Sequence, residues 1–223
     1  MASDMLQQAP GLLMIFDLDG TLFRSESVTV PAVLSTFHDY GVSPPPEVDI
    51  RSYFGKPHAE FHTWLKTISP PDKTAAMIRE IDRRELSNVT THGSLYDGVL
   101  TVLDHLLTLS MTLALCTNGE KTYVSTVIDS HDLRSRFHRI RHRISSIDSK
   151  PKMVGEIVTN IGFRHGFMVG DRKDDMEAAK QNGLLAIGAA YGFGSPSELR
   201  SADIIIKDIT SLPVILDLSL IHI

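Results

Sequence analysis

Asp17 and Asp19 stand two residues apart and follow directly on Leu12-Leu13-Met14-Ile15-Phe16; Gly20 and Thr21 come next. A short apolar run ended by acids and glycine reads as a buried strand. In an open α/β sheet, ligands bind at the carboxyl ends of strands. Two carboxylates held together there repel one another unless a cation neutralises them. Oxygen ligands of this kind suit Mg2+, which takes one or two carboxylates together with substrate phosphate. The chemistry implied is phosphoryl transfer, one aspartate attacking phosphorus and the other moving a proton. The competing reading is a strand that ends in a turn bent at Gly20.

Further residues extend the set. Thr117-Asn118-Gly119 follows a second apolar run, so a hydroxyl and free backbone N–H groups at a helix start can cradle a phosphate. Read alone, Thr117 or Asn118 is equally an ordinary N-cap. Lys150 precedes Pro151 at a helix start, where an ammonium on a flexible stem can reach a phosphate oxygen and a nucleophile together. Lys152 competes with it, and a surface lysine is the plain alternative. Asp171 ends a third apolar strand. Asp175, four residues on, shares its side if the helix starts at once. Asp174 competes with Asp175, although an acid favoured by the helix dipole accounts for it.

The elements that must carry these groups alternate between strand and helix. Strands are expected at residues 12–16, 111–116, 167–169, 184–187 and 204–206, and helices at 99–109, 121–128, 151–161 and 174–182. This order predicts an α/β fold with a doubly wound parallel sheet. Between the first two strands lies helical sequence: residues 25–41, ended by Gly41, then 61–67 and 74–86, separated by Pro44-Pro45-Pro46 and Pro70-Pro71. No internal repeat or low-complexity segment interrupts the chain.

Asp17-Leu18-Asp19-Gly20-Thr21-Leu22 resembles the signature of the haloacid dehalogenase-like (HAD) superfamily. Thr117, Lys150 and Gly170-Asp171-Arg172-Lys173-Asp174-Asp175 follow in the order of that family's other motifs, so the resemblance runs from Leu12 to about Leu216. It implies a HAD Rossmann-like core at residues 1–23 and 93–217, with an all-helical C1 cap at 24–92. It also implies a Mg2+-dependent phosphatase that hydrolyses a small phosphomonoester through an aspartyl-phosphate, phosphoglycolate phosphatase-like. By the same resemblance, Asp17 is the nucleophile and Asp19 the acid and base, with its backbone carbonyl on the metal. Thr117 and Lys150 are catalytic, and with Asn118 and Gly119 they bind phosphate. Asp17, Asp19, Asp171 and Asp175 form the metal set. Lys56 and His58 fall on the cap's specificity loop as contacts to a substrate anion. The loop Tyr191-Gly192-Phe193-Gly194 falls at the active-site rim, as in phosphoglycolate phosphatase-like members. Arg24-Ser25-Glu26 departs from the Asp-Ser often found after the first motif.

A β-phosphoglucomutase-type mutase shares these groups and differs only in returning the phosphoryl group to a sugar. A phosphonoacetaldehyde hydrolase needs a cap lysine in another register, and a dehalogenase has no use for Asp19 or the metal. A non-catalytic phosphate-binding HAD protein is the remaining alternative.

Composition bounds the rest. The chain has 223 residues, 42% hydrophobic and 22% charged, with a formal net charge of −5. That size supports one large domain or a core with an insertion. The charge argues against a nucleic-acid binder, and the basic run 134–143 reads as a solvated edge. The single cysteine, Cys116, excludes an internal disulfide and reads as a small core residue. The ten histidines show no zinc-ligand spacing with partner cysteines. No apolar run reaches the roughly 20 residues of a membrane span, and residues 1–10 lack a signal-peptide pattern. The expectation is a soluble cytoplasmic protein, monomer or homodimer, acting on a small phosphorylated metabolite. Leu218-Ser219-Leu220-Ile221-His222-Ile223 reads as a possible non-native tail.

Overall fold

The computed structural model describes residues 11–163 and 165–220. The expectation about residues 1–10 and the end of the suspected tail, residues 221–223, lie outside them.

Six parallel strands form one sheet: β1 (Leu12–Phe16), β2 (Thr112–Thr117), β3 (Arg139–His142), β4 (His165–Gly170), β5 (Leu185–Ala189) and β6 (Ile204–Ile206). Their spatial order is β3-β2-β1-β4-β5-β6. The chain therefore reverses direction across the sheet at β1, which pairs with β2 on one side and β4 on the other. Crevices open at the carboxyl ends of strands at such a reversal.

Alternation along the central strands sorts their side chains between two layers. Met14, Phe16, Leu113, Leu115, Phe167 and Val169 face one layer. There they meet α5 (Val99–Thr108), α6 (Lys121–Ser130) and α9 (Leu212–Leu220). Leu13, Ile15, Ala114, Cys116 and Met168 face the other, against α7 (Lys150–Ile161) and α8 (Lys173–Gln181). Helices on both faces make the sheet doubly wound, as the alternating pattern predicts.

Between β1 and α5 lie four helices: α1 (Glu26–Asp39), α2 (Glu47–Arg51), α3 (His58–Ile68) and α4 (Thr74–Thr91). They enclose a third apolar cluster, including Val33, Phe37, Leu65, Met77 and Ile81, with Phe193 of the core packed against it. Gly41, at φ 66°, takes the left-handed conformation that stops the chain after α1.

Three elements go beyond the sequence pattern. The proline block is followed at once by α2, with Glu47 and Asp49 in its first turn; acids there suit the helix dipole. The basic run is not simply a solvated edge. Its second half is strand β3 at the sheet margin, where charged residues guard an open edge. Arg141 in that strand is 9% exposed and paired with Asp148 and Glu156. Helix α9 closes one layer through Leu212 and Leu216.

Candidate active site

Register aligns the ends of three neighbouring strands. Phe16 lies beside Leu115 on one side and Val169 on the other, so Asp17, Thr117 and Asp171 emerge together. The Asp17 N–H extends the ladder by donating to the Val169 carbonyl at 2.9 Å. All three side chains are buried.

Lys150, the first residue of α7, donates to Asp17 Oδ1 at 2.6 Å and lies 2.8 Å from Asp175 Oδ1. Lys152 points elsewhere, to Asp148 at 3.5 Å, half exposed. Of the two candidate lysines, Lys150 is therefore the one at the carboxylates. Asp175 Oδ2 accepts from the Arg172 N–H at 3.0 Å at the start of α8. Asp171 Oδ2 accepts from the N–H groups of Phe193 and Gly194 at 2.6 and 3.3 Å. The 191–194 loop thus holds an acid of the site directly, a backbone contact that no side-chain pattern announces. A Cβ on Gly194 would lie 1.7 Å from the Asp171 carbonyl oxygen, so only glycine permits this approach.

Asp17, Asp171 and Asp175 bring one oxygen each within 4.8 Å of one another. Burial raises all three carboxyls well above the ordinary range. Lys150 opposes the rise at Asp17 and Asp175, whereas neighbouring carboxylates reinforce it throughout. Burial disfavours the Lys150 ammonium, but Asp17, Asp175 and Asp174 outweigh it and hold the lysine charged well above its usual range. Three carboxylates against one ammonium leave two negative charges when all are ionised. Asp17 Oδ2 and Asp171 Oδ1 are buried without a hydrogen-bond partner, and Asp175 Oδ1 faces only Lys150. An all-oxygen set with that charge and those unpartnered atoms fits a hard divalent cation such as Mg2+.

Asp19 turns away from this cluster. Its Oδ1 accepts from Ser25 Oγ and from Tyr123 Oη, each at 2.6 Å. Burial raises its carboxyl, against these two hydrogen bonds. Ser25 precedes α1, so the departure at Arg24-Ser25-Glu26 still places a hydroxyl on the acid. Neither Ser25 nor Tyr123 was marked by the sequence as a partner of Asp19.

The turn after β2 differs from expectation. Asn118 and Gly119 do not open a helix: α6 begins at Lys121 after Glu120. The Gly119 N–H donates to Thr117 Oγ1 at 3.0 Å. Asn118 Nδ2 donates to Asp174 Oδ2 at 2.8 Å and to the Gly55 carbonyl at 2.9 Å, while Oδ1 accepts from Arg143 at 2.9 Å. The Asn118 side chain therefore ties the core to the helical insertion, and Asp174 belongs to that tie rather than to the carboxylate cluster.

Between insertion and core lies a cavity of ≈ 150 Å³, lined among others by Asp19, Lys56, His58, Glu85, Gly119 and Tyr123. Lys56 sits over the Tyr53 ring, 4.9 Å from its centre. Burial works against the charge on His58, but Asp82, Glu85 and Glu120 overcome it and lift the imidazole to about 9. Phe54 meets Phe193 across the gap with ring centres 4.7 Å apart. Burial pushes the Cys116 thiol up to about 12, which suits an inert core residue.

The family model described as haloacid dehalogenase-like hydrolase matches residues 14–189. A phosphoglycolate phosphatase of Synechococcus elongatus is 27% identical over 197 residues, covering 85% of this chain and 88% of that protein. A 5'-nucleotidase of Pseudomonas aeruginosa is 26% identical over 196 residues, covering 84% of this chain and 86% of that one. Among solved structures, one described as a predicted phosphoglycolate phosphatase from Haemophilus somnus 129pt superposes with a TM-score of 0.82. It is 21% identical and the match covers 92% of this chain and 97% of that one, a likeness of fold.

Proposed function

Because the chain belongs to the haloacid dehalogenase-like hydrolase family, we propose that it is a Mg2+-dependent phosphatase working through an aspartyl-phosphate on a small phosphomonoester. The observation that carries this reading is the division of labour at Asp17. Lys150 holds Oδ1 at 2.6 Å, and Oδ2 is left without a hydrogen-bond partner. A carboxylate anchored by one oxygen presents the other as a nucleophile.

Asp17 Oδ2 attacks phosphorus, forming one P–O bond as the ester P–O bond breaks. The leaving oxygen takes the proton of Asp19, whose carboxyl burial raises above its ordinary range. Water then attacks the phosphorus of the aspartyl-phosphate and gives a proton to Asp19, releasing phosphate and restoring Asp17. Thr117, the Gly119 region and Lys150 bind and orient the phosphoryl oxygens. Asp17, Asp171 and Asp175 would hold the cation, with the Asp19 backbone carbonyl implied by the family resemblance. The bound ion supplies charge neutralisation for an anionic substrate.

We take residues 24–92 as a cap over a core formed by 1–23 and 93–217. Docked as it is through Asn118 and Phe193, it screens the site from water. Lys56 and His58 in the cavity wall offer positive charge to a substrate anion. The relatives' names point to phosphoglycolate or a nucleoside monophosphate as first substrates to try. The enzyme would work on a free metabolite in the cytoplasm, as monomer or homodimer. No helix among the described residues is long and apolar enough to cross a membrane.

The test is phosphate release from phosphoglycolate, nucleoside monophosphates, sugar phosphates and p-nitrophenyl phosphate, with Mg2+ or EDTA. Release should require Mg2+ and fall to background in D17N. D19N should lose about 10²–10⁴-fold. Isomerised sugar phosphate without phosphate release would assign a mutase instead; full activity in D17N would remove Asp17 as nucleophile.

A further inference from the structure

We propose that the helical insertion carries a second metal site, for a late first-row divalent ion such as Zn2+ or Co2+, built from His58, His62 and Asp82. The two histidines stand one turn apart on α3, and the aspartate faces them from α4. One ligand atom from each lies within 4.8 Å of the others. Asp82 Oδ1 is 2.9 Å from His62 Nε2 and 3.5 Å from His58 Nε2. Tetrahedral ligands on bonds of 2.0–2.1 Å are separated by about 3.3 Å, so these two spacings bracket the requirement.

A salt-bridged histidine pair is the ordinary alternative, and an ion is favoured over it by the long spacings at His58. Both its ring nitrogens are shut off from water, yet neither makes a hydrogen bond. Its Nε2 stands 3.5 Å from Asp82 Oδ1, longer than a charge-assisted hydrogen bond and close to the spacing of two ligands on one ion. Its Nδ1 lies 3.4 Å from Glu120 Oε1 while Nε2 faces Asp82. A carboxylate behind the distal nitrogen is the usual companion of a metal-bound histidine. Here that carboxylate comes from the core, so the coordinating ring is braced across the gap between insertion and core.

The donor set separates this site from the carboxylate cluster. Two imidazoles and one carboxylate suit Zn2+, Co2+, Ni2+ or Cu2+, whereas three carboxylates suit Mg2+. His58 and Asp82 both line the cavity that Asp19 borders. An ion there would displace the His58 proton and keep positive charge in the cavity wall. It would also pin α3 to α4.

The experiment is Co2+ titration of the full chain in excess Mg2+, followed by visible absorption and by thermal melting. Wild type should bind one Co2+ per chain with nitrogen-ligand bands, and the melting temperature should rise. H62Q and D82N, each checked for native circular dichroism, should bind at least about tenfold more weakly and lose the rise. D171N, altered only in the carboxylate cluster, should keep both signals. No Co2+ binding beyond the Mg2+-protected cluster would overturn the proposal. So would equal binding by wild type, H62Q and D82N, or loss of binding in D171N alone.

Discussion

At the scale of single residues, the site turns on which lysine reaches the carboxylates. Lys150 and Lys152 differ by two positions, yet one is buried between Asp17 and Asp175 and the other is half exposed. K150M keeps the volume but strips two buried carboxylates of their cation. It should cost about 3–5 kcal/mol in metal-free protein, by urea titration, and abolish phosphate release. K152M removes only an exposed partner and should stay within about 0.5 kcal/mol of wild type, with activity retained. Matching effects of the two substitutions would reject the assignment of Lys150.

At the scale of elements, the strand-to-helix loops set where side chains begin. The loop before α7 is folded around Asp148, whose Oδ2 accepts from the N–H groups of Ile144 and Ser145 at 2.9 and 3.3 Å, with Arg141 at 3.2 Å. Those backbone N–H bonds, with Arg141, hold its carboxyl down to about 2. A carboxyl depressed on folding contributes stability above its ordinary pKa and loses it as pH falls through the depressed value. D148N should therefore melt below wild type at pH 5–7, and the gap should close as pH falls from about 4 to about 2. A gap constant over that range would mean that the charge on Asp148 does not organise the loop. Because this loop leads into Lys150, lost activity in D148N at neutral pH is expected as well.

At the scale of the whole molecule, the insertion meets the core through α4 on α6 and through Val28 and Val89 in the first apolar cluster, while its 53–58 segment is held by Asn118 to Gly55, Phe193 to Phe54, and His58 beside Glu120. N118A removes three side-chain hydrogen bonds, of which the one to Gly55 crosses to the insertion and is worth about 1 kcal/mol, enough to raise the population with 53–58 undocked about fivefold. Hydrogen exchange in residues 53–58 should speed up accordingly, while exchange in β1 and β4 stays slow. KM should rise more than kcat falls. Unchanged exchange at 53–58 would mean that Phe54 and Phe193 hold the insertion without Asn118.

The sequence by itself determined the parallel sheet, the inserted helices and the strand-end acids Asp17 and Asp171, because an apolar run is buried in such a sheet and the charge that ends it must sit at the strand's mouth. Strand ends at a reversal of strand order must meet, so spacing along the chain already implies proximity. Only the tertiary structure decided where side chains turn once there. It chose Lys150 over Lys152 and Asp175 over Asp174, because the phase of α7 and α8 depends on their first residues. It turned Asp19 toward Ser25 and Tyr123, and laid the N–H groups of Phe193 and Gly194 on Asp171. Backbone donors carry no residue signature and are invisible in a sequence. The His58–His62 spacing was there to be read on α3, but Asp82 joins it from another helix. That meeting depends on how α3 packs on α4, which periodicity along either helix does not specify.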